Sequence, residues 1–248
     1  MGMGGGAPVG LSPDALARDA AIARAVLPQQ TPRAELLQPW TGPYEGVPPW
    51  PAVTAPKLKA AILEGIELQR AEINAIVSNP EPATFANTMV ALQMAGEPLD
   101  RALTLFGVMT SNIGSDDYQA VDTEVSPLLS AAGDEITFNA GLFARVKAVA
   151  DGAQAAGLTA EQTRIAERSR DSFIRNGAAL NAAGKAELGR INTALSSAFT
   201  RFGQKVVADE NTWTVLTDEA QTAGMPASNK AAAAAAARNR DLQGWAII

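Results

Sequence analysis

The 248-residue sequence contains no histidine and no cysteine. Imidazole is the commonest general base and metal ligand near neutral pH. Its absence excludes from this chain a serine–histidine triad, a His-Glu-x-x-His zinc site and a histidine phosphoryl relay. Without cysteine there is no disulfide, thiol nucleophile or thiolate metal site, and neither an oxidising nor a reducing compartment is selected. Aromatic residues make up only 5%, and their scarcity beside abundant alanine favours closely spaced helices over a sheet. Positive charge is short too. A net charge of −6 argues against nucleic acid as a partner, because its binders carry basic patches that release counterions. No window approaches the roughly 20 apolar residues of a membrane span. The opening Met1-Gly-Met-Gly-Gly-Gly lacks the basic stretch and apolar core of a signal peptide, which leaves cytoplasm and periplasm both open.

An apolar content of 47% suits a globular chain of one or two domains with a buried core. The stretch from Thr159 to Val207 reads as the organising element. Thr159 and Gln162 have the spacing of a capping box. Further on, Leu188, Ile191, Leu195, Ala198 or Phe199, Phe202 and Val206 recur in steps of three and four, which predicts one apolar stripe along a helix from about Ala182 to Ala208. Such a helix is a rod of roughly 40 Å at about 1.5 Å per residue. The expectation is that the rest of the chain packs against that stripe.

Taken in order, residues 1–34 read as a flexible Gly/Pro/Ala-rich arm with one short helix, Pro13 to Val26, capped by Ser12. Trp40, Tyr44 and Trp50 lie among prolines and are expected to pin an extended segment onto the helical core. A helix from Pro56 to Val77 turns Leu58, Ile62, Ile66, Ile73 and Ile76 inward and stops before Pro80. Thr84 opens the next, with Phe85, Met89 and Leu92 inward and Gly96 at its end. Pro98 opens a third carrying Leu99, Leu103, Phe106 and Ile113. The helix after Ser115 holds Val121, Val125, Leu128 and Ile136, with Pro127 inside it, and Asn139 caps another with Leu142, Phe143 and Val146. Alternation near Trp213 and Val215 suggests a short strand. Ser228 and Asn229 are expected to cap the alanine run 231–237. Gly244 to Ile248 reads as a strand with no partner after it, as though the chain were cut short. The fold class is therefore mainly α, a multi-helix antiparallel array with a possible short strand near the C-terminus.

Three groups invite a chemical reading. Asp116, Asp117, Asp122 and Glu124 resemble a carboxylate cluster, but negative charge at a helix start and along a solvated face explains them better. Arg175 has the chemistry to clamp a peptide carboxylate, against which stands an ordinary ion pair. The Trp40, Tyr44 and Trp50 group could form a ligand platform. None is assigned a role, so no catalytic, cofactor-binding or metal-ligating residue is expected in this chain.

The ordered set Asn79-Pro80-Glu81-Pro82-Ala83-Thr84-Phe85-Ala86-Asn87-Thr88, Asn139 with Leu142, Phe143 and Arg145, Phe173 with Arg175, Gly177 and Leu180, Leu188 with Ile191, Asn192 and Leu195, Ala208-Asp209-Glu210-Asn211, Gly224-Met225-Pro226 and Gly244-Trp245 resembles the N-terminal region of the thimet oligopeptidase family of zinc metallopeptidases. The bacterial peptidyl-dipeptidase branch is the nearest, and Leu37-Gln38-Pro39-Trp40-Thr41-Gly42-Pro43-Tyr44 resembles that branch's mature start. The resemblance covers about residues 35–248. It departs at Ala83-Thr84, where proline–threonine is common, at Lys205, where asparagine is usual, and at Gly189 and Gly203 inside the long helix.

The resemblance implies a helical ellipsoid split by a deep channel, with this region as one wall, oligopeptides as substrate and dipeptides released from their C-termini. It also implies that zinc is held by two histidines and a glutamate in a C-terminal catalytic domain absent from this chain, so that residues 35–248 alone are inactive. The competing reading is a free-standing helical adaptor that binds a partner through an exposed stripe.

Overall fold

In the computed structural model, residues 12–44, 46–210 and 212–247 are described. The chain divides into two compact units, Met1–Ser197 and Ala198–Ile248.

The first unit begins with α1 (Pro13–Val26), whose Ser12 side chain accepts from the Ala15 N–H with Pro13 in the first turn. Of the arm expected over 1–34, residues 1–11 lie outside the described residues. Ala23 of α1 is fully buried against Ile73, Ile76 and Leu142. Next comes α2 (Ala55–Ser78), with the expected Leu58, Ile62, Ile66, Ile73 and Ile76 all buried. The Thr84 helix differs from expectation. Phe85–Val90 winds as a π-helix before continuing as α3 (Ala91–Met94). Its first turn is fixed by a reciprocal capping box: Asn87 N–H donates to Thr84 Oγ1 at 3.1 Å, and Thr84 N–H to Asn87 Oδ1 at 2.8 Å.

Two further helices, α4 (Glu97–Val108) and α5 (Asp116–Phe138), lie along α2. Leu58 and Ile62 meet Leu99, Leu105, Val121 and Val125 in the main core, joined by Leu36 and Leu37. Each such side chain contributes about 1.5–3 kcal/mol on full burial. At Gly65 a Cβ would lie 3.1 Å from Leu99 Cα, so the crossing of α2 and α4 leaves room for glycine and little else. The short helices α6 (Ala140–Asp151) and α7 (Ala160–Arg175) pair with each other and bury Val146, Val149 and Ala166 against Met89. Asn139 caps α6 by accepting from Leu142 N–H at 3.0 Å, and the Thr159–Gln162 capping box opens α7.

The long helix α8 (Ala182–Glu210) corrects the sequence reading. None of its residues joins a buried core cluster. Within the first unit it meets α5 through polar groups: Asn192 Nδ2 donates to Asp134 Oδ1 at 2.7 Å, Ser196 Oγ to Ser126 O at 3.1 Å, and Lys185 Nζ to Phe138 O at 2.9 Å. Those bonds fix the rotation of the helix, and Ile191 and Leu195 are left exposed. The core is organised around α2 instead.

Other expected inward residues also face solvent. Ile113 and Leu128 are exposed; Ile113 ends a π-helical turn that closes at left-handed Gly114. Of the proline-segment aromatics only Trp40 packs on the core. Tyr44 is 95% exposed and Trp50 is exposed as well, so neither pins the segment. Upstream of that segment, Lys57–Glu35 and the bonds from the Arg33 and Ala34 N–H groups to Glu64 tie residues 33–35 to α2.

The second unit contains the C-terminal part of α8, β1 (Thr214–Leu216), α9 (Ala227–Arg238) and β2 (Trp245–Ile247). The strands are antiparallel, with Thr214 opposite Ile247 and Leu216 opposite Trp245. The terminal strand is therefore not partnerless: its partner lies upstream, at β1. Gly244 precedes it with φ of 93°, and a Cβ there would lie 2.1 Å from Leu216 O, so the approach of the chain to β1 demands glycine. The helix over the alanine run starts at Ala227 after Pro226, without the expected Ser228 or Asn229 side-chain cap. Ala233, Ala237 and Ala246 are buried. Arg240 stacks 3.7 Å over Trp213, and Lys230 sits 5.2 Å from the Trp245 ring. Phe199 and Phe202 are 66% and 67% exposed, and Val206 is exposed too.

Candidate functional site

The acidic residues near the start of α5 do not converge. Asp122 Oδ1 accepts from Ser126 Oγ at 2.6 Å, and Glu124 pairs with Lys59 of α2. Among the described residues no group of three or more acidic side chains is placed to hold a metal ion. Arg175 is exposed in the last turn of α7 and forms no ion pair among the described residues. Its charge lies at the helix end the macrodipole favours, which replaces the expected structural pair.

What the structure does bring together is the set of residues flanking the α2–α3 connection. Arg145 of α6 donates from Nη1 to Asn79 O at 3.0 Å and to Glu81 O at 3.2 Å. Its Nη2 donates to Asn87 Oδ1 at 3.1 Å. That one oxygen also receives the Thr84 N–H and the Thr88 hydroxyl, at 2.9 Å, while Asn87 Nδ2 donates to Pro82 O, also at 2.9 Å. Burial pushes the Arg145 guanidinium down from its ordinary value. The guanidinium fork thus ties a proline-rich turn to a helix about 60 residues away. The sequence carries Asn79 and Asn87 in one stretch and Arg145 in another, about 60 residues on. Nothing local signals that they share one network.

A second network centres on a buried acid, Glu72 of α2, which is 8% exposed and accepts from the Gly96 N–H at 2.7 Å. Desolvation pushes its carboxyl up, and the Gly96 bond opposes that. Both networks hold turns in place, and neither offers a nucleophile or a base to solvent.

Comparison with known proteins separates this scaffold from an arbitrary helical array. The chain is 37% identical over 191 residues to the dipeptidyl carboxypeptidase of Escherichia coli (strain K12), covering 76% of this chain and 28% of that protein. Its homologues are peptidases of the thimet oligopeptidase family. The dipeptidyl carboxypeptidase of Salmonella typhimurium is 33% identical over 186 residues, and oligopeptidase A of E. coli 26% over 213 residues. No protein-family model matches the chain. The chain spans between 27% and 31% of the length of these three peptidase relatives. No helix among the described residues is long and apolar enough to cross a membrane.

Proposed function

We propose that residues 35–248 are the helical portion of a zinc peptidase that releases dipeptides from the C-termini of oligopeptides. In this reading the helices form one wall of the substrate channel, and the chain alone does not turn over. The similarity to dipeptidyl carboxypeptidase over 191 residues carries the proposal. The side chains present include no histidine, and among the described residues no group of three or more acidic ones is placed to hold a metal ion. They do not fit a catalytic zinc, whose family site takes two histidines and a glutamate, so no step of hydrolysis is assigned to this chain.

The apolar stripe of α8 also supports the reading. Ile191 and Leu195 in the first unit, and Phe199, Phe202 and Val206 in the second, are exposed, which is unfavourable unless polypeptide covers them. The relatives are more than three times longer than the matched stretch, and the stripe is assigned to packing against their further length.

The test incubates the purified chain with zinc and an oligopeptide bearing a free C-terminus, with dipeptide release followed by mass spectrometry. No release is expected. Zinc-dependent release by the 248-residue chain would refute its inactivity. The adaptor reading draws on the same exposed stripe. It prevails if the chain captures a partner through α8 and a polypeptide carrying the histidine region of a relative neither binds it nor becomes active with it.

A further inference from the structure

A cavity of about 500 Å³ opens in the first unit between α1, the Thr84 turn, the end of α6 and the start of α7. Its volume falls within the range of small-molecule sites. Phe85, Val149 and Leu158 give it an apolar body, and two buried polar side chains line it. Asp19 is 8% exposed and Gln162 is 7% exposed. Among the described residues, Asp19 meets only the guanidinium of Arg18, 3.6 Å away on a side chain that is itself 71% exposed. The Gln162 Oε1 is used by the Thr159 N–H at 3.1 Å, while its Nε2 donates to nothing among the described residues.

We infer that this cavity binds a ligand carrying a primary ammonium on an apolar body, with the ammonium on Asp19 and an acceptor oxygen on Gln162 Nε2. A largely buried carboxylate that meets one exposed cation among the described residues favours a further cation with N–H groups, and an amide N–H with no acceptor among them favours a carbonyl. The apolar wall selects a side chain of phenylalanine or leucine type. The amino end of a short peptide and a simple arylalkylamine share this chemistry. The inference does not rest on the peptidase reading, since it needs neither zinc nor turnover.

The test titrates the full ¹⁵N-labelled chain with phenylalanyl-alanine, its N-acetyl form and 2-phenylethylamine. The free dipeptide is expected to shift the amides of Gly152, Leu158 and Gln162, and the acetylated form is expected to shift none. Asp19→Asn should weaken binding about tenfold or more, as loss of a buried charge-assisted bond does. Arg18→Ala should tighten it about two- to fivefold, because a competing surface cation is removed. A merely structural Asp19 would not produce that opposite response. Equal binding of 2-phenylethylamine assigns the site to simple amines, and weaker binding assigns it to peptide amino ends; both support the inference. If Asp19→Asn does not fold, Ala156→Trp at the exposed rim serves instead. It should abolish the shifts with an unchanged melting curve. Binding of the acetylated peptide, shifts confined elsewhere, no binding at all, or full affinity in the rim variant overturns the inference.

Discussion

Arg145 Nη2 lies 3.1 Å from Asn87 Oδ1, and through that bond α6 holds the turn joining α2 to α3. The oxygen accepts from three donors at once, so its loss unsettles the Thr84 cap, the Thr88 hydroxyl and the guanidinium together.

Replacing Arg145 by alanine should therefore lower stability by about 1–3 kcal/mol, since it strands the part-buried Asn79 carbonyl and one lone pair of Asn87. Arg145→Lys should recover little, because an ammonium cannot span three acceptors with a planar fork. Urea denaturation of both single variants and of the double variant with Asn87→Ala measures the coupling, expected at about 1 kcal/mol or more. Additive losses would mean the two residues act separately.

Glu72 should make stability fall as pH rises. Its carboxyl is pushed up by burial, so the folded state prefers the neutral form. Stability tied to this residue is present in full below the ordinary carboxylate range and is lost as pH climbs through that range toward the raised folded value. Glu72→Gln keeps an acceptor for Gly96 N–H without the charge. It should be about as stable as the parent at low pH and up to about 1 kcal/mol more stable at neutral pH. Thermal melts of the two proteins across pH check the sign.

The position of the core predicts a sharp contrast between two kinds of apolar residue. Ile62→Ala in α2 should cost about 2–5 kcal/mol, the range for a filled site that cannot fully collapse. Phe202→Ser in α8 should change stability by about 0.5 kcal/mol or less while lowering the binding of a hydrophobic dye. A large loss from Phe202→Ser would restore α8 to the core.

Gly244→Ala should open the β1–β2 pair. The new methyl would meet the Leu216 carbonyl, and the left-handed φ adds about 1–2 kcal/mol of strain. Hydrogen exchange at Val215 and Ala246 should speed up, while amides of Ile62 and Leu105 should keep their protection. Unchanged exchange at Val215 would show that the pairing does not depend on Gly244.

Local signals in the sequence determined the helices and most of their ends. The Ser12, Asn139 and Thr159 caps and the stop before Pro80 depend on atoms within a few residues, and such short-range chemistry is written directly in the order of side chains. The α2 stripe was equally readable, because period and burial agree there. The α8 stripe has the same period, and periodicity says only that one face is apolar, not that anything covers it. Tertiary structure decided that point: Asn192 and Ser196 found partners at Asp134 and Ser126, and those polar bonds turned the stripe outward. The same holds for Arg145 with Asn87, for Asp19 with Gln162 at one cavity, and for β2 with an upstream strand. Each joins residues far apart in the chain, and only folding in three dimensions sets distances that sequence spacing does not encode.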